Sequence, residues 1–240
     1  MKVALCLHGL FDSLTDSHSK GIDGYHHIKK HILDKVDADV YIHSWEQEKS
    51  EEINSLYKPK KAIYEQQVDF RPLIQSRSLD RIPGCPRHPF SVLSHLYSVT
   101  QVMRMPYEHD KYDIIIKARF DLGRINRRTS GPGKQNPYPV QCINFTFPIE
   151  ADKIYMADWN HFHMGPADMW FYGDAITMNP FTTLYDELQK NFFINSDFHK
   201  FATKIEGNFG DLSNAIAFYK WWMINNGLWE KRELLSTEWE

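Results

Sequence analysis

The sequence predicts a single α/β domain built on an open, mostly parallel sheet with helices on both of its faces. Short apolar runs alternate along the chain with segments whose apolar residues recur at helical spacing, which is typical of such folds. Hydrophobic residues make up 42% of the 240 residues, enough for one large core. No repeat or low-complexity linker divides the sequence, so we expect one domain over residues 1–240.

The first elements are a strand, a helix and a second strand, the unit from which parallel sheets are built. Residues 3–7 are a continuous apolar run and predict a buried strand that ends at His8-Gly9. Apolar residues at 25, 28, 32 and 36 predict an amphipathic helix over residues 25–36. Residues 40–42 predict the second strand, which ends at His43-Ser44-Trp45.

The middle of the chain is less regular. The charged residues 46–52 predict a solvated helix, and residues 70–89, rich in Pro and Arg, predict a long loop that is either functional or a mobile insertion. Apolar residues at 92, 96, 99 and 103 predict a helix that begins at residues 90–91 and ends at Pro106. Residues 112–119 hold three consecutive isoleucines and predict a strand covered on both faces.

The second half predicts two more strands and two helices. Residues 129–139 hold two Gly and three Pro, which is typical of a loop. Residues 140–147 and 154–156 predict strands. A short helix is predicted from Pro180 to Leu188, and a last core helix over residues 212–223, ended by Gly227.

Composition and charge argue against several classes of protein. The net charge of −3 and the pI of about 6.5 provide no basic surface for nucleic acid. No apolar run approaches the ~20 residues that a membrane span needs. The three cysteines are far apart and odd in number, which predicts free thiols. Because the first strand follows Met1-Lys2 directly, we also expect no signal peptide and a cytoplasmic protein.

Polar residues follow each predicted strand at its carboxyl end, where open parallel sheets bind their ligands. His8-Gly9, His43, Arg119 with Asp121, and Asp158 occupy these positions. A carboxylate directly after a buried central strand, as at Asp121, suits a divalent cation that keeps its waters and bridges a diphosphate. Arg119 lies on the same side of the strand, and it either neutralises phosphate or holds Asp121 in a structural ion pair.

Other chemical signatures are weak or missing from the sequence. His161-Phe162-His163, near Asp158, has too few further ligands to predict a zinc site. The sequence has no Gly-x-Ser-x-Gly, no Walker A motif and no Gly-x-Gly-x-x-Gly. Their absence argues against an α/β-hydrolase and against the common nucleotide-binding loops.

Five segments, taken in order, resemble a group of GT-A-like glycosyltransferases of the nucleotide-diphospho-sugar type, found in bacteria, phages and large viruses. They are residues 4–9, 39–45, 90–94, 112–122 and 168–178, and they include Asp-Val-Tyr-Ile-His-Ser-Trp and Tyr-Asp-Ile-Ile-Ile-Lys-Ala-Arg-Phe-Asp-Leu. The resemblance rests on their order and spacing and covers most of the chain. It implies a GT-A-like fold in which residues 1–125 bind the nucleotide and residues 126–240 bind the acceptor.

The resemblance also implies an activity and a donor site. The chain would move a sugar from a nucleotide-diphospho-sugar to a glycan or other hydroxyl acceptor, in glycan biosynthesis, with Mn²⁺ or Mg²⁺ bound by Asp121. Arg119-Phe120-Asp121 stands where the family has an Asp-x-Asp motif, of which only the last carboxylate is present. The residues expected to bind the donor are His8, Gly9, His43, Ser94, Lys117, Arg119 and Asp121.

The second half would supply the catalytic base and the acceptor site. Asp168 is the first candidate for the base and Asp158 the second. Trp159, Trp170 and Tyr172 are expected to pack against sugar faces, unless Trp170 and Tyr172 are core strand residues. The alternative from another class is a non-catalytic nucleotide-sugar or carbohydrate-binding protein on the same scaffold. The incomplete metal motif and the lack of the family's Arg after the first strand favour this alternative.

Overall fold

A computed structural model of the chain describes residues 1–12, 21–79, 89–123, 125–126, 138–139, 142–158, 163–205 and 212–236. The strands are β1 (Val3–Gly9), β2 (Ala38–Ser44), β3 (Lys61–Tyr64), β4 (Ile114–Arg119), β5 (Ile125–Asn126), β6 (Tyr138–Pro139), β7 (Ile154–Ala157), β8 (Trp170–Asp174) and β9 (Arg232–Leu235). The helices are α1 (Gly21–Ile28), α2 (Ser50–Tyr57), α3 (Arg71–Ser76), α4 (Pro89–His109), α5 (Ala175–Met178), α6 (Leu184–Asn191), α7 (Asp197–Ala202) and α8 (Ala215–Asn225).

Seven strands form one sheet in the order β3-β2-β1-β4-β8-β7-β9, and β5 pairs separately with β6. Only β8 is antiparallel to its neighbours, so six of the seven strands run in one direction. The predicted open, mostly parallel α/β sheet is therefore confirmed. The chain runs from β1 outwards to β3 and then returns to the other side of β1 as β4. The carboxyl ends of β1 and β4 thus border the crevice where the strand order reverses, the usual ligand site of such sheets.

Hydrophobic cores lie on both faces of the sheet. Alternate residues of β1 point to opposite faces, so that Val3, Leu5 and Leu7 join one core and Ala4 and Cys6 the other. The first core is covered by α1 and α2, and the second by α4, α6 and α8. This arrangement confirms the prediction of helices on both faces. It also explains why β1 and β4 read as continuous apolar runs.

The helix α4 is longer than the sequence predicted. It passes through Pro106 and ends at His109. Proline removes one backbone donor, but other bonds hold the last turn. The hydroxyl of Tyr107 donates to the carbonyl of Ala175 (2.6 Å), and the backbone N–H of Asp110 donates to the carbonyl of Pro106 (3.1 Å). The predicted end at Pro106 is therefore wrong.

The first helix also differs from its prediction. It begins at Gly21, four residues before the predicted start at residue 25, and continues as a π-helical turn over Lys29–Leu33. Glycine is required there by close packing: a Cβ on Gly24 would lie 1.9 Å from the carbonyl oxygen of Phe120, which follows β4. The start of α1 is thus packed directly against the end of the central strand.

Several shorter elements were not predicted. The predicted set lacks β3, β5, β6, β8, β9, α3, α5 and α7. Of these, α3 lies within the predicted loop 70–89, of which residues 80–88 lie outside the described residues. The strand predicted over residues 140–147 is not formed by the described residues 142–147, which run without strand pairing. Most of the predicted loop 129–139 lies outside the described residues, apart from β6.

Two of the three cysteines lie in the described part of the chain. Cys6 and Cys142 are free and buried, whereas Cys85 lies outside the described residues. Among the described helices, none is long and apolar enough to cross a membrane.

Candidate functional site

A row of polar side chains crosses the sheet at its carboxyl edge. His8 at the end of β1 is in register with His43 on β2 and with Arg119 on β4. His8 lies on the same face of β1 as Ala4 and Cys6, the face that is covered by α4 and α8. Its register partners His43 and Arg119 share this face of the sheet. The prediction that the strand ends deliver polar groups to one edge of one sheet is confirmed for these three strands.

Arg119 is the centre of this row, because it contacts two carboxylates at once. Its Nε and one terminal nitrogen donate to the two oxygens of Asp121 at 2.8 and 2.6 Å. The other terminal nitrogen lies 3.5 Å from Oδ2 of Asp168. The bidentate bond to Asp121 is the strongest type of side-chain pair, and all three side chains are partly buried. Both carboxylates are therefore held at the switch point between β1 and β4.

Asp168 reaches this site because β8 is antiparallel. Trp170, the first residue of β8, pairs with Ala118 near the end of β4, so the residues before β8 lie at the carboxyl edge of β4. Burial alone would raise the pKa of Asp168, but the nearby positive groups, Arg119 first among them, together with a backbone hydrogen bond lower it to about 2. Asp168 is thus ionised at any pH near neutrality.

Lys117 lies beneath the site and is fully buried. Its ammonium group donates to the backbone carbonyl of Asp168 and lies 5.1 Å from the ring centroid of Phe171 and 5.7 Å from that of Tyr219. Burial lowers the pKa of Lys117 from 10.5 to about 7. In this position the amine holds the backbone of Asp168 by a hydrogen bond. It has no exposed surface for the predicted contact with a sugar-nucleotide donor.

Two further residues belong to the site and were missed from the sequence. His95 on α4 places its Nε2 3.6 Å from Oδ2 of Asp168 and 3.1 Å from the hydroxyl of Tyr219 on α8. Burial lowers the pKa of His95 to about 3, so its ring is neutral. The sequence did contain a sign of His95's role. His95 is a polar residue on the otherwise apolar face of the predicted helix, which also carries Val92 and Val99.

His8 is the most deeply buried of the predicted site residues on β1. It is 1% exposed, and neither of its ring nitrogens has a hydrogen-bond partner among the described residues. Its ring meets that of His95 edge to face, with 5.1 Å between centroids. Gly9 follows with a φ of +100°, and a Cβ on it would meet nothing within 4 Å among the described residues, so this part of the structure leaves open space at the end of β1.

His43, in contrast, is fully satisfied by its neighbours. Its Nδ1 lies 2.7 Å from Ser98 Oγ on α4, and its Nε2 lies 2.8 Å from a carboxylate oxygen of Glu65, just after β3. The ring is fully buried and links β2, α4 and the end of β3. Ser94, one helical turn before Ser98, donates its hydroxyl to the side chain of Gln67 at 2.9 Å. Both predicted donor residues therefore hold structural bonds in this arrangement.

Two of the three predicted acceptor residues, Trp170 and Tyr172, are not brought to the site. Trp170 and Tyr172 are fully buried in the core beside α1 and α2, on the sheet face opposite His8. The indole of Trp170 donates to the carbonyl of Cys142 at 2.9 Å, and the hydroxyl of Tyr172 lies 3.0 Å from that of Thr146. Neither ring has a free face for a sugar, so burial supports the alternative that both are core residues.

Asp158 lies apart from the carboxylate cluster. Asp158 is exposed at the end of β7, where its backbone N–H donates to Leu235 at 2.9 Å. Because β8 separates β7 from β4, this position is two strand spacings, or about 10 Å, from the row at β4. Trp159 lies outside the described residues, as do His161 and Phe162 of the weak zinc pattern.

The described side chains do not fit a divalent-cation site as they are arranged. Both oxygens of Asp121 accept hydrogen bonds from Arg119, and no group of three or more His, Cys, Asp or Glu side chains suited to a metal occurs in the described part of the chain. A cation bound by Asp121 would have to displace the guanidinium. The predicted Mn²⁺ or Mg²⁺ site therefore stays a prediction.

The fold and the site together define an open α/β protein with a charged crevice at the point where its strand order reverses. The crevice combines two carboxylates, a guanidinium, a buried amine, a phenol and two neutral imidazoles. In comparisons with known proteins, no family model matches the chain, and no curated protein sequence matches it.

Proposed function

We propose that the chain is a glycosyltransferase that moves a sugar from a nucleotide-diphospho-sugar to a hydroxyl acceptor. The observation that carries the proposal is the sharing of Arg119 by Asp121 and Asp168 at the crevice between β1 and β4. Carboxylates accept hydrogen bonds from sugar hydroxyls, and a guanidinium binds phosphate oxygens in pairs. The two chemistries that a sugar phosphate requires thus occur side by side.

Arg119 is the group that would meet the diphosphate. Its contacts with Asp121 and Asp168 use three of the five N–H donors of a guanidinium, which leaves two for a ligand. Those donors are already oriented by the carboxylates, so phosphate binding requires little further ordering of the side chain. Fixed donors of this kind stabilise the charge that builds up on the leaving diphosphate.

Asp168 would become a better base when the donor binds. With a pKa of about 2, the carboxylate is a weak proton acceptor towards an acceptor hydroxyl. Arg119 is the main cause of that low pKa, so a diphosphate that neutralises Arg119 raises the pKa of Asp168. Donor binding therefore strengthens the base that the acceptor needs, and base catalysis is weak until the donor is in place.

The rival function is a binding protein without catalysis. One observation favours it: the Arg119–Asp121 pair occupies the carboxylate that the resemblance assigns to a metal. A site whose charged groups already satisfy each other can bind a sugar nucleotide by hydrogen bonds and promote no transfer. In that case ligands would raise the melting temperature of the protein, and no donor would be consumed.

The test is a panel of nucleotide-diphospho-sugars incubated with the protein, with and without Mn²⁺, while nucleotide release is measured. Asp168→Asn is the decisive variant, and we expect it to lower donor turnover by ~10²–10³. Asp186→Asn is the matched control, because Asp186 pairs with Arg104 at 2.6 Å on the far side of α4. Melting-temperature shifts without turnover by the wild-type protein would support the rival function instead.

A further inference from the structure

The unsatisfied ring of His8 is a feature that the proposed chemistry leaves unexplained. Its side chain is 1% exposed, and both ring nitrogens lack hydrogen-bond partners among the described residues. A buried polar group without a partner is costly, and folded proteins pair nearly all of them. Such a group at the ligand-binding edge of the sheet therefore calls for an explanation.

The neighbours of His8 do not provide this partner. His43, beside it on β2, gives both of its ring nitrogens to Ser98 and Glu65. His95 contacts His8 only through its ring, and its Nε2 faces Asp168 and Tyr219. None of these described neighbours pairs with His8, and the space at the next residue, Gly9, is where a bound molecule would approach it.

The charge state of His8 limits the chemistry of that molecule. Burial, together with the positive charge of Lys117, keeps the pKa of His8 well below its usual 6.5. A neutral imidazole has one donor and one acceptor nitrogen. A phosphate group only accepts and would leave the second nitrogen unpaired, whereas hydroxyl groups both donate and accept.

We propose that His8 is a ligand-binding residue that hydrogen-bonds the hydroxyl groups of a sugar. The inference rests on the proposed function in taking the ligand to be a sugar nucleotide, and it adds that His8 reads the sugar rather than the phosphates. The nearby carboxylates and the phenol of Tyr219 suit the same chemistry, since each can pair with a hydroxyl group. The hydroxyls belong either to the ribose or to the transferred sugar.

The test uses the imidazole nitrogen resonances of the full chain, with His8 assigned by comparison with His8→Phe. The probes are uridine and guanosine for ribose, methyl hexosides for the transferred sugar, and inorganic pyrophosphate for the anion alone. We expect one of the sugar probes to move both His8 nitrogen resonances, and pyrophosphate to leave them unmoved. The group of probes that acts identifies the source of the hydroxyls.

The variant provides a second readout. Phenylalanine keeps the ring and removes both nitrogens, so we expect the affinity for the active probe to fall by roughly tenfold or more. We also expect the ligand-free protein to melt at a higher temperature, because the unpaired nitrogens are gone. The control His31→Phe changes a partly exposed histidine stacked on His27, away from the site, and should leave the affinity unchanged.

Three results would overturn the proposal: no probe moves the His8 resonances, only pyrophosphate moves them, or His8→Phe binds the sugar probes as the wild type does. These results are separable from failure of the proposed function. Movement of the His8 resonances without donor turnover would retain the sugar site and reject the transferase. Turnover that is unchanged in His8→Phe would retain the transferase and reject the sugar site.

Discussion

Replacement of Lys117 by methionine should make the protein more stable at neutral pH. The amine is fully buried, and burial lowers its pKa from 10.5 to about 7. In the unfolded chain the same amine is charged up to about pH 10.5, so folding at pH 7 removes about half a proton from it on average. From the two pKa values this costs about 4 kcal/mol at pH 7.

The size of the gain follows from what methionine lacks. Methionine has a similar length and no charge, but it cannot donate to the carbonyl of Asp168, and an unpaired carbonyl costs about 1–3 kcal/mol. We therefore expect Lys117→Met to raise the free energy of unfolding by about 1–3 kcal/mol at pH 7. The cost of deprotonation is smaller at higher pH, because the unfolded chain then loses the same proton.

The assay is urea unfolding of both proteins at pH 7 and pH 9.5. At pH 9.5 the cost of burying Lys117 falls to about 1 kcal/mol, so the advantage of Lys117→Met should shrink by about 3 kcal/mol between the two pH values. Lys61→Met, at a partly exposed lysine paired with Glu108 at 3.0 Å, measures the effect of the same change near the surface. An equal stability difference at both pH values would refute the argument that Lys117 is held with a lowered pKa.

Three further predictions concern the site and the core. Asp121→Asn breaks a bidentate, partly buried pair with Arg119 and should cost about 1–3 kcal/mol in thermal unfolding; an unchanged melting temperature would contradict the observed geometry. The fold lowers the pKa of Asp168 from 3.8 to about 2, so its ionised form contributes about 2 kcal/mol of stability above pH 3.8, which is lost as the pH falls towards 2. In Asp168→Asn, the free energy of unfolding should therefore depend less on pH over this range. Tyr172→Phe removes the hydroxyl contact with Thr146 and should lower the free energy of unfolding in urea by about 1 kcal/mol while leaving glycan binding unchanged. Weaker glycan binding would instead support the predicted role of Tyr172 in acceptor binding.

Much of the sheet could be predicted because its central strands are buried on both faces. Continuous apolar runs such as 3–7 and 114–116 leave few alternatives to a central parallel strand, and the polar residues that follow them mark its carboxyl edge. The edge strands β3 and β9 carry mixed, half-exposed residues, and their sequences give no comparable pattern. They form because the neighbouring strands offer unpaired backbone groups, which is a property of the assembled sheet.

The site was predictable in part for the same reason. Arg119 and Asp121 follow a strand that the sequence makes obvious, and their pairing was one of the two stated interpretations. The roles given to Trp170 and Tyr172 depended on the face to which each ring points. Both faces of β8 are buried, so the sequence has no polar alternation that would reveal which rings face the site. His95 comes to the site only through the packing of α4 across the sheet.

The charges of the described side chains set a condition on any diphosphate that binds here. Asp121 and Asp168 are two negative charges, against one positive charge on Arg119 and about half a charge on Lys117 at pH 7, because its pKa is about 7. The cluster is therefore slightly negative, and it does not attract a diphosphate by charge alone. A donor would need additional positive charge, either from a bound cation or from the basic residues Arg124, Arg127 and Arg128, which follow β4 in the sequence. A sugar hydroxyl has no such requirement, since it is neutral and pairs with carboxylates and imidazoles as they stand. The described part of the crevice is for this reason better suited to the sugar of a nucleotide sugar than to its phosphates, and the Mn²⁺ dependence of donor turnover reports on the charge that is still required.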